Sequence, residues 1–118
     1  KKEEEAKKKA FKKKGELTVK LTHDPEPENE HSFKFEIMNT GGIILRNIEM
    51  QLLLSETEDN PILVPEYNKK LPIQRLQVGE SVAIHATQFA GSPTKYSILL
   101  RWSEPGGARV EDQMYVSV

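Results

Sequence analysis

A length of 118 residues suits one domain, which can bury about two-thirds of its unfolded surface without covalent staples. The chain has no cysteine, which excludes disulfides, zinc–thiolate sites and thiol catalysis; its longest apolar runs, Ile43-Ile44-Leu45 and Leu52-Leu53-Leu54, fall far short of the ~20 residues of a membrane-crossing helix. The net charge of −1 conceals an asymmetry: residues 1–14 hold eight lysines and three glutamates, a net +5, and residues 15–118 hold nine basic and fifteen acidic side chains, a net −6. An acidic body disfavours non-specific contact with nucleic acid.

In residues 1–14, Glu3, Glu4 and Glu5 stand four positions before Lys7, Lys8 and Lys9, the favourable order for helical ion pairs of about 0.2–0.5 kcal/mol each. Ala6 and Ala10 favour helix and Gly15 is a natural stop, but Ala6, Ala10 and Phe11 make only a thin apolar face. The expectation is a short charged helix or a disordered arm over residues 1–16, ahead of a domain over 17–118. The arm has no arginine and a single aromatic, which argues against groove reading and base stacking, so no nucleic-acid partner is expected. It reads first as a solvated linker. The compatible second reading is a juxtamembrane stretch in which Lys1–Lys14 face anionic lipid. The chain begins with Lys1 and carries no signal-peptide pattern, so it reads as a piece of a longer protein. The juxtamembrane reading would make that protein membrane-anchored, with the domain in a soluble compartment.

From Leu17 the apolar period becomes two. Leu17, Val19 and Leu21 alternate with polar residues, and an acidic, proline-broken loop follows from His23 to Glu30. Phe33, Phe35 and Ile37 form a second strand, closed by the turn Asn39-Thr40-Gly41-Gly42. A long strand from Ile43 to Leu54 turns Ile48, Met50 and Leu52 inward, and the broken parity at Arg46 predicts a bulge. Pro61, Pro65 and Pro72 predict an irregular stretch with a short edge strand near Ile62–Val64. Leu76 and Val78 lead to a turn at Gly79-Glu80; Val82, Ile84 and Ala86, then Tyr96, Ile98, Leu100 and Trp102, then Val110, Met114, Val116 and Val118 supply the last inward sets. Seven short strands in about 100 residues predict an all-β, immunoglobulin-like sandwich of two antiparallel sheets. Its expected core is Phe33, Phe35, Ile37, Ile48, Met50, Leu52, Ile84, Ile98, Leu100 and Trp102.

Three short motifs carry a family resemblance: Phe33-Lys34-Phe35-Glu36-Ile37-Met38-Asn39-Thr40-Gly41-Gly42, Ile73-Gln74-Arg75-Leu76-Gln77-Val78-Gly79-Glu80-Ser81, and the Trp102 strand with its Gly-rich hairpin. Over residues 17–118 the chain resembles the bacterial cell-adhesion-related (CARDB-like) immunoglobulin-like domains. Those show an N-x-G turn, an L-x-P-G-E-S approach to a middle strand and a late aromatic strand; Val78 stands where the usual proline would be. The resemblance implies a sandwich with an interaction or spacer role and no catalytic residues.

Candidate chemistry is sparse. His23 and His31 flank the acidic loop and would bind a metal only with Asp24 or Glu30; no close-spaced pair supports this, and solvated loop side chains are the plainer reading. The carboxylates Glu56, Glu58 and Asp59, and those of the earlier loop, lack calcium-loop spacing. No nucleophile elbow, phosphate cradle or paired-carboxylate cleft is visible, so no enzyme, metal or cofactor is expected. Trp102 and Tyr96 fall on the inward parity and read as core rather than as a sugar platform. The contact surface is expected at Leu17 and Val19 on the first strand and at Tyr67, Phe89 and Tyr115, for a protein partner, or alternatively for a carbohydrate or lipid.

Overall fold

The alternation of apolar and polar side chains becomes an alternation of burial. The computed structural model describes residues 15–23, 32–87 and 95–117. The arm of residues 1–14, the loop from Asp24 to His31, and Phe89 lie outside the described residues. Seven strands and one helix are present among those described: β1 (Leu17–His23), β2 (Ser32–Asn39), β3 (Leu45–Leu53), α1 (Val64–Lys70), β4 (Ile73–Leu76), β5 (Ser81–Thr87), β6 (Lys95–Ser103) and β7 (Arg109–Ser117). In β2 the buried set is Phe33, Phe35, Ile37 and Asn39; in β6 it is Tyr96, Ile98, Leu100 and Trp102.

The strands form two antiparallel sheets, ordered β1-β2-β5 and β4-β3-β6-β7, whose inner faces make the core of an immunoglobulin-like sandwich. In the constant-type arrangement the fourth strand completes the first sheet; here β4 pairs with β3 of the second. One end of the sandwich, the turn end, gathers the start of β1 and the short connections 40–44, 77–80 and 104–108. The other, the loop end, carries the crossover of residues 54–72 between β3 and β4.

All of the expected core residues are buried except Leu52, which is half-buried and packs against the rest. Phe33, Phe35 and Tyr96 meet across the sheets with ring centroids 5.5–6.2 Å apart. The bulge expected at Arg46 is present: the β3–β6 register shifts between Arg46 and Glu49, and Asn47 takes a positive φ of 50°. The edge strand expected near Ile62–Val64 is not. Ile62 drops into the core and a seven-residue helix starts at Val64. Pro65 sits in its first turn, where a missing N–H costs nothing, with Glu66 near its start and Lys69 and Lys70 near its end, in accord with the helix dipole.

Among the described residues one polar side chain, that of Asn39, lies fully within the core. Asn39 ends β2, and its side-chain amide donates to the Ile43 carbonyl (2.9 Å) and the Leu76 carbonyl (3.0 Å), while its oxygen accepts from the Gly41 amide (3.1 Å). Its backbone N–H donates to Glu80 O and its carbonyl accepts from Gly79 N–H. Thus one side chain bonds the β2–β3 turn and the end of β4, in the opposite sheet, and its backbone holds the β4–β5 turn.

Trp102→Ala is expected to cost about 3–5 kcal/mol, read from a urea melt; a near-zero loss would place the indole outside the core. Asn39→Ala is expected to cost about 3 kcal/mol, because it leaves buried carbonyls without donors. Asn39→Asp brings a carboxylate against two carbonyl oxygens, which raises its folded pKa. The folded variant then holds a proton that the unfolded chain has released, so its stability should fall as pH rises through the carboxyl range, unlike that of the wild type. Parallel denaturant melts at acidic and neutral pH check the sign.

Candidate interaction surfaces

The two edges of the three-stranded sheet differ. On β5, the alternate residues Ala83, His85 and Thr87 turn their backbone away from β2, and each is met by the preceding crossover. Glu66 Oε2 accepts the His85 amide (2.8 Å), Lys70 Nζ donates to the Ala83 carbonyl (3.0 Å), and the Pro61 carbonyl accepts the Thr87 amide (3.0 Å). Glu66 and Lys70 are one helical turn apart and 3.7 Å from each other. The helix therefore stands where a fourth strand would pair, which accounts for β4 joining the other sheet. The His85 amide, helped by Lys70, holds the Glu66 carboxyl below its ordinary value against the opposing effect of partial burial.

On β1 nothing comparable occurs. It pairs with β2 on one side, and among the described residues no group bonds the backbone of its other side. Leu17 and Val19 are 3% and 5% exposed, so their side chains belong to the core and this strand offers a partner its backbone edge. On the face away from the core it carries Thr18 and Lys20, and Thr22, whose hydroxyl is buried. Thr18 shares a hydroxyl contact of 2.9 Å with Thr40, which in turn donates to Glu16.

The outer face of the four-stranded sheet is ordered in cross-strand rows. Glu49, Arg101 and Glu111 form one row, Gln51, Leu99 and Gln113 the next, and Leu53, Ser97 and Tyr115 the third. Arg101 pairs with Glu111 at 2.8 Å. Arg109 clamps the bulge, donating to the Asn47 carbonyl (2.7 Å), Ser103 Oγ (3.0 Å) and Glu49 Oε2 (2.6 Å). Beside α1 this face has a small open recess lined by Glu49, Met50, Gln51, Tyr67, Leu99 and Arg101.

Of the expected contact residues, Tyr115 stands on this face at 78% exposure and half-buried Tyr67 lines the recess, packed against the core. Leu17 and Val19 lie on a different sheet, so these residues do not form one patch. His85 is exposed, as its parity predicts. Among the described residues no three His, Asp or Glu side chains gather to hold a metal, and no helix is long and apolar enough to cross a membrane. Three buried polar atoms, Thr22 Oγ1, Tyr96 Oη and Trp102 Nε1, have no hydrogen-bond partner among the described residues. Burial, with Glu58 nearby, pushes the Tyr96 phenol above its ordinary value. The capping helix is a feature that sequence reading misses; Pro65 followed by Glu66 and, four residues on, Lys70 is its signal.

Glu66→Ala should speed hydrogen exchange at the His85 amide and lower stability by about 1 kcal/mol. Because the folded carboxyl is depressed, its contribution is present above the unfolded pKa and disappears as pH falls through the folded one. The stability gap between wild type and variant should therefore close in acid; a gap that does not change with pH would show that the carboxylate contributes nothing through its charge.

Comparison with known proteins finds no family model, no curated protein and no solved structure that matches this chain.

Proposed function

We propose that this domain is a non-enzymatic interaction module of a larger protein, which takes an extended segment of a protein partner along the open edge of β1. One observation carries the reading: the three-stranded sheet has its β5 edge closed by Glu66, Lys70 and Pro61, while among the described residues β1 is paired on one side only. An unpaired strand edge is a template for a strand from another chain, and natural sheets blunt edges that must stay unused. On β1 the only charge between Leu17 and Thr22 is Lys20, and there is no proline. The role agrees with what the likeness to adhesion-related immunoglobulin-like domains implies.

A second reading, a carbohydrate-binding module, rests on the recess beside α1, which Tyr67 lines together with Glu49, Gln51 and Arg101. Its charged members are already engaged, Arg101 by Glu111 and Glu49 by Arg109, so a sugar there would compete with existing ion pairs.

Hydrogen exchange on a verified monomer tests the first reading. The outward-facing amides of β1 should exchange quickly while those bonded to β2 are protected. Slow exchange at every amide from Leu17 to Leu21 would mean that the edge is already covered, and strand addition would have to be abandoned. Chemical-shift changes confined to Tyr67 and Leu99 on titration with oligosaccharides would favour the second reading instead.

A further inference from the structure

The free edge of β1 carries a charge pattern that is complementary to itself. The Glu16 carbonyl accepts from the Thr40 amide, so the even-numbered residues turn their backbone to β2, and Leu17, Val19 and Leu21 turn theirs outward. The even-numbered side chains lie on the face away from the core, with Glu16 and Lys20 exposed and Thr18 midway between them. One oxygen of Glu16 accepts from the Thr40 hydroxyl, and Lys20 is the register partner of Glu36 on β2. Among the described residues neither Glu16 nor Lys20 has a partner within ion-pair distance.

A second β1 laid antiparallel on this edge must oppose odd-numbered residues to odd ones, because those are the residues whose amides and carbonyls point outward. Centred on Lys20, such a pair opposes like charges, which is destabilising. Centred on Leu17 or Val19, it opposes Glu16 to a threonine. Centred on Thr18, it sets Glu16 of each copy opposite Lys20 of the other, at the non-hydrogen-bonded positions where side chains come closest. Leu17 of each copy then exchanges hydrogen bonds with Val19 of the other. Each lysine comes to lie between two carboxylates, Glu36 of its own β2 and Glu16 of the second copy.

The other edges are blunted. The β5 edge is held by α1. Strand β4 is four residues long, follows Pro72 and carries Arg75, opposite Arg46 of β3. Strand β7 has Asp112 at a core-facing position, opposite buried Leu100, and its side chain is exposed, an inward-facing charge of the kind that keeps an edge unpaired. On β1 the charge that would discourage an arbitrary strand is Lys20, and a second copy matches it.

We infer that the strand taken up by β1 is the β1 of a second copy of this chain, antiparallel about a two-fold axis at Thr18. This rests on the strand-addition reading and names the strand that is added.

Sedimentation of the 118-residue chain at concentrations up to about 1 mM tests it. A reversible dimer is expected, in which the Leu17 and Val19 amides are protected from exchange as they are not in the monomer. Glu16→Lys alone and Lys20→Glu alone each put two like-charge contacts into the pair and should weaken it about tenfold or more. A mixture of the two variants, and a chain carrying both changes, has opposite charges at both contacts and should associate nearly as the wild type does. Thermal melts of each variant confirm folding. A dimer that neither single change weakens, or a mixture that does not recover, overturns the inference. So does a chain that stays monomeric: rapid exchange at Leu17, Val19 and Leu21 in that monomer would leave strand addition by another protein standing, whereas slow exchange there would end both readings.

Discussion

The side chain of Asn39 is the constraint on which the rest of this sandwich depends. Two sheets packed by apolar side chains can slide against each other at little cost, because dispersion and burial are not directional. A buried amide with two donors and one acceptor in use has a single satisfactory position. By bonding the Ile43 and Leu76 carbonyls together with the Gly41 amide, Asn39 fixes the end of β2 against the end of β4 across the two layers. Its backbone bonds to Gly79 and Glu80 hold the β4–β5 turn at the same place.

The loop end is organised differently. There the crossover from β3 to β4 performs, with side chains, the task of a strand. Glu66 and Lys70 meet an amide and a carbonyl two residues apart on β5, a spacing that one helical turn reproduces. A helix of seven residues has little stability of its own. It persists because Ile62 and Leu71, on either side of it, are anchored in the core and because Tyr67 packs against the same cluster. Closure of the β5 edge is thus tied to core packing, and the fourth strand is diverted to the other sheet.

Much of the architecture is legible in the residues themselves, because period-two alternation is a direct record of which face is buried. Phe33, Phe35 and Ile37, or Tyr96 through Trp102, allow no other arrangement. The bulge is legible too, since Arg46 breaks the parity. What sequence reading misses is of another kind. Asn39 looks like an ordinary turn residue before Gly41-Gly42, and its burial arises from two carbonyls distant in sequence. Pro65 is as suitable for the first turn of a helix as for a blunted edge strand, and only the docking of Glu66 on His85 decides between them. The opposition of Arg46 and Arg75 depends on pairing between β3 and β4, which a local pattern does not contain. Leu17 and Val19 illustrate the limit in the other direction: their strand lies at an edge, as the sequence suggests, but alternation alone does not show that its accessible chemistry is peptide rather than side chain.

The unequal edges also bear on how copies of this domain associate. A sheet with two open edges can pair head to tail, β1 of one copy on β5 of the next, and such an arrangement has no natural end. With β5 occupied by its own helix, the edge of this sheet that remains is β1, and pairing between two three-stranded sheets is then β1 with β1, about a two-fold axis. Glu66 and Lys70, which touch no partner in that arrangement, are the residues that withhold the second edge of this sheet.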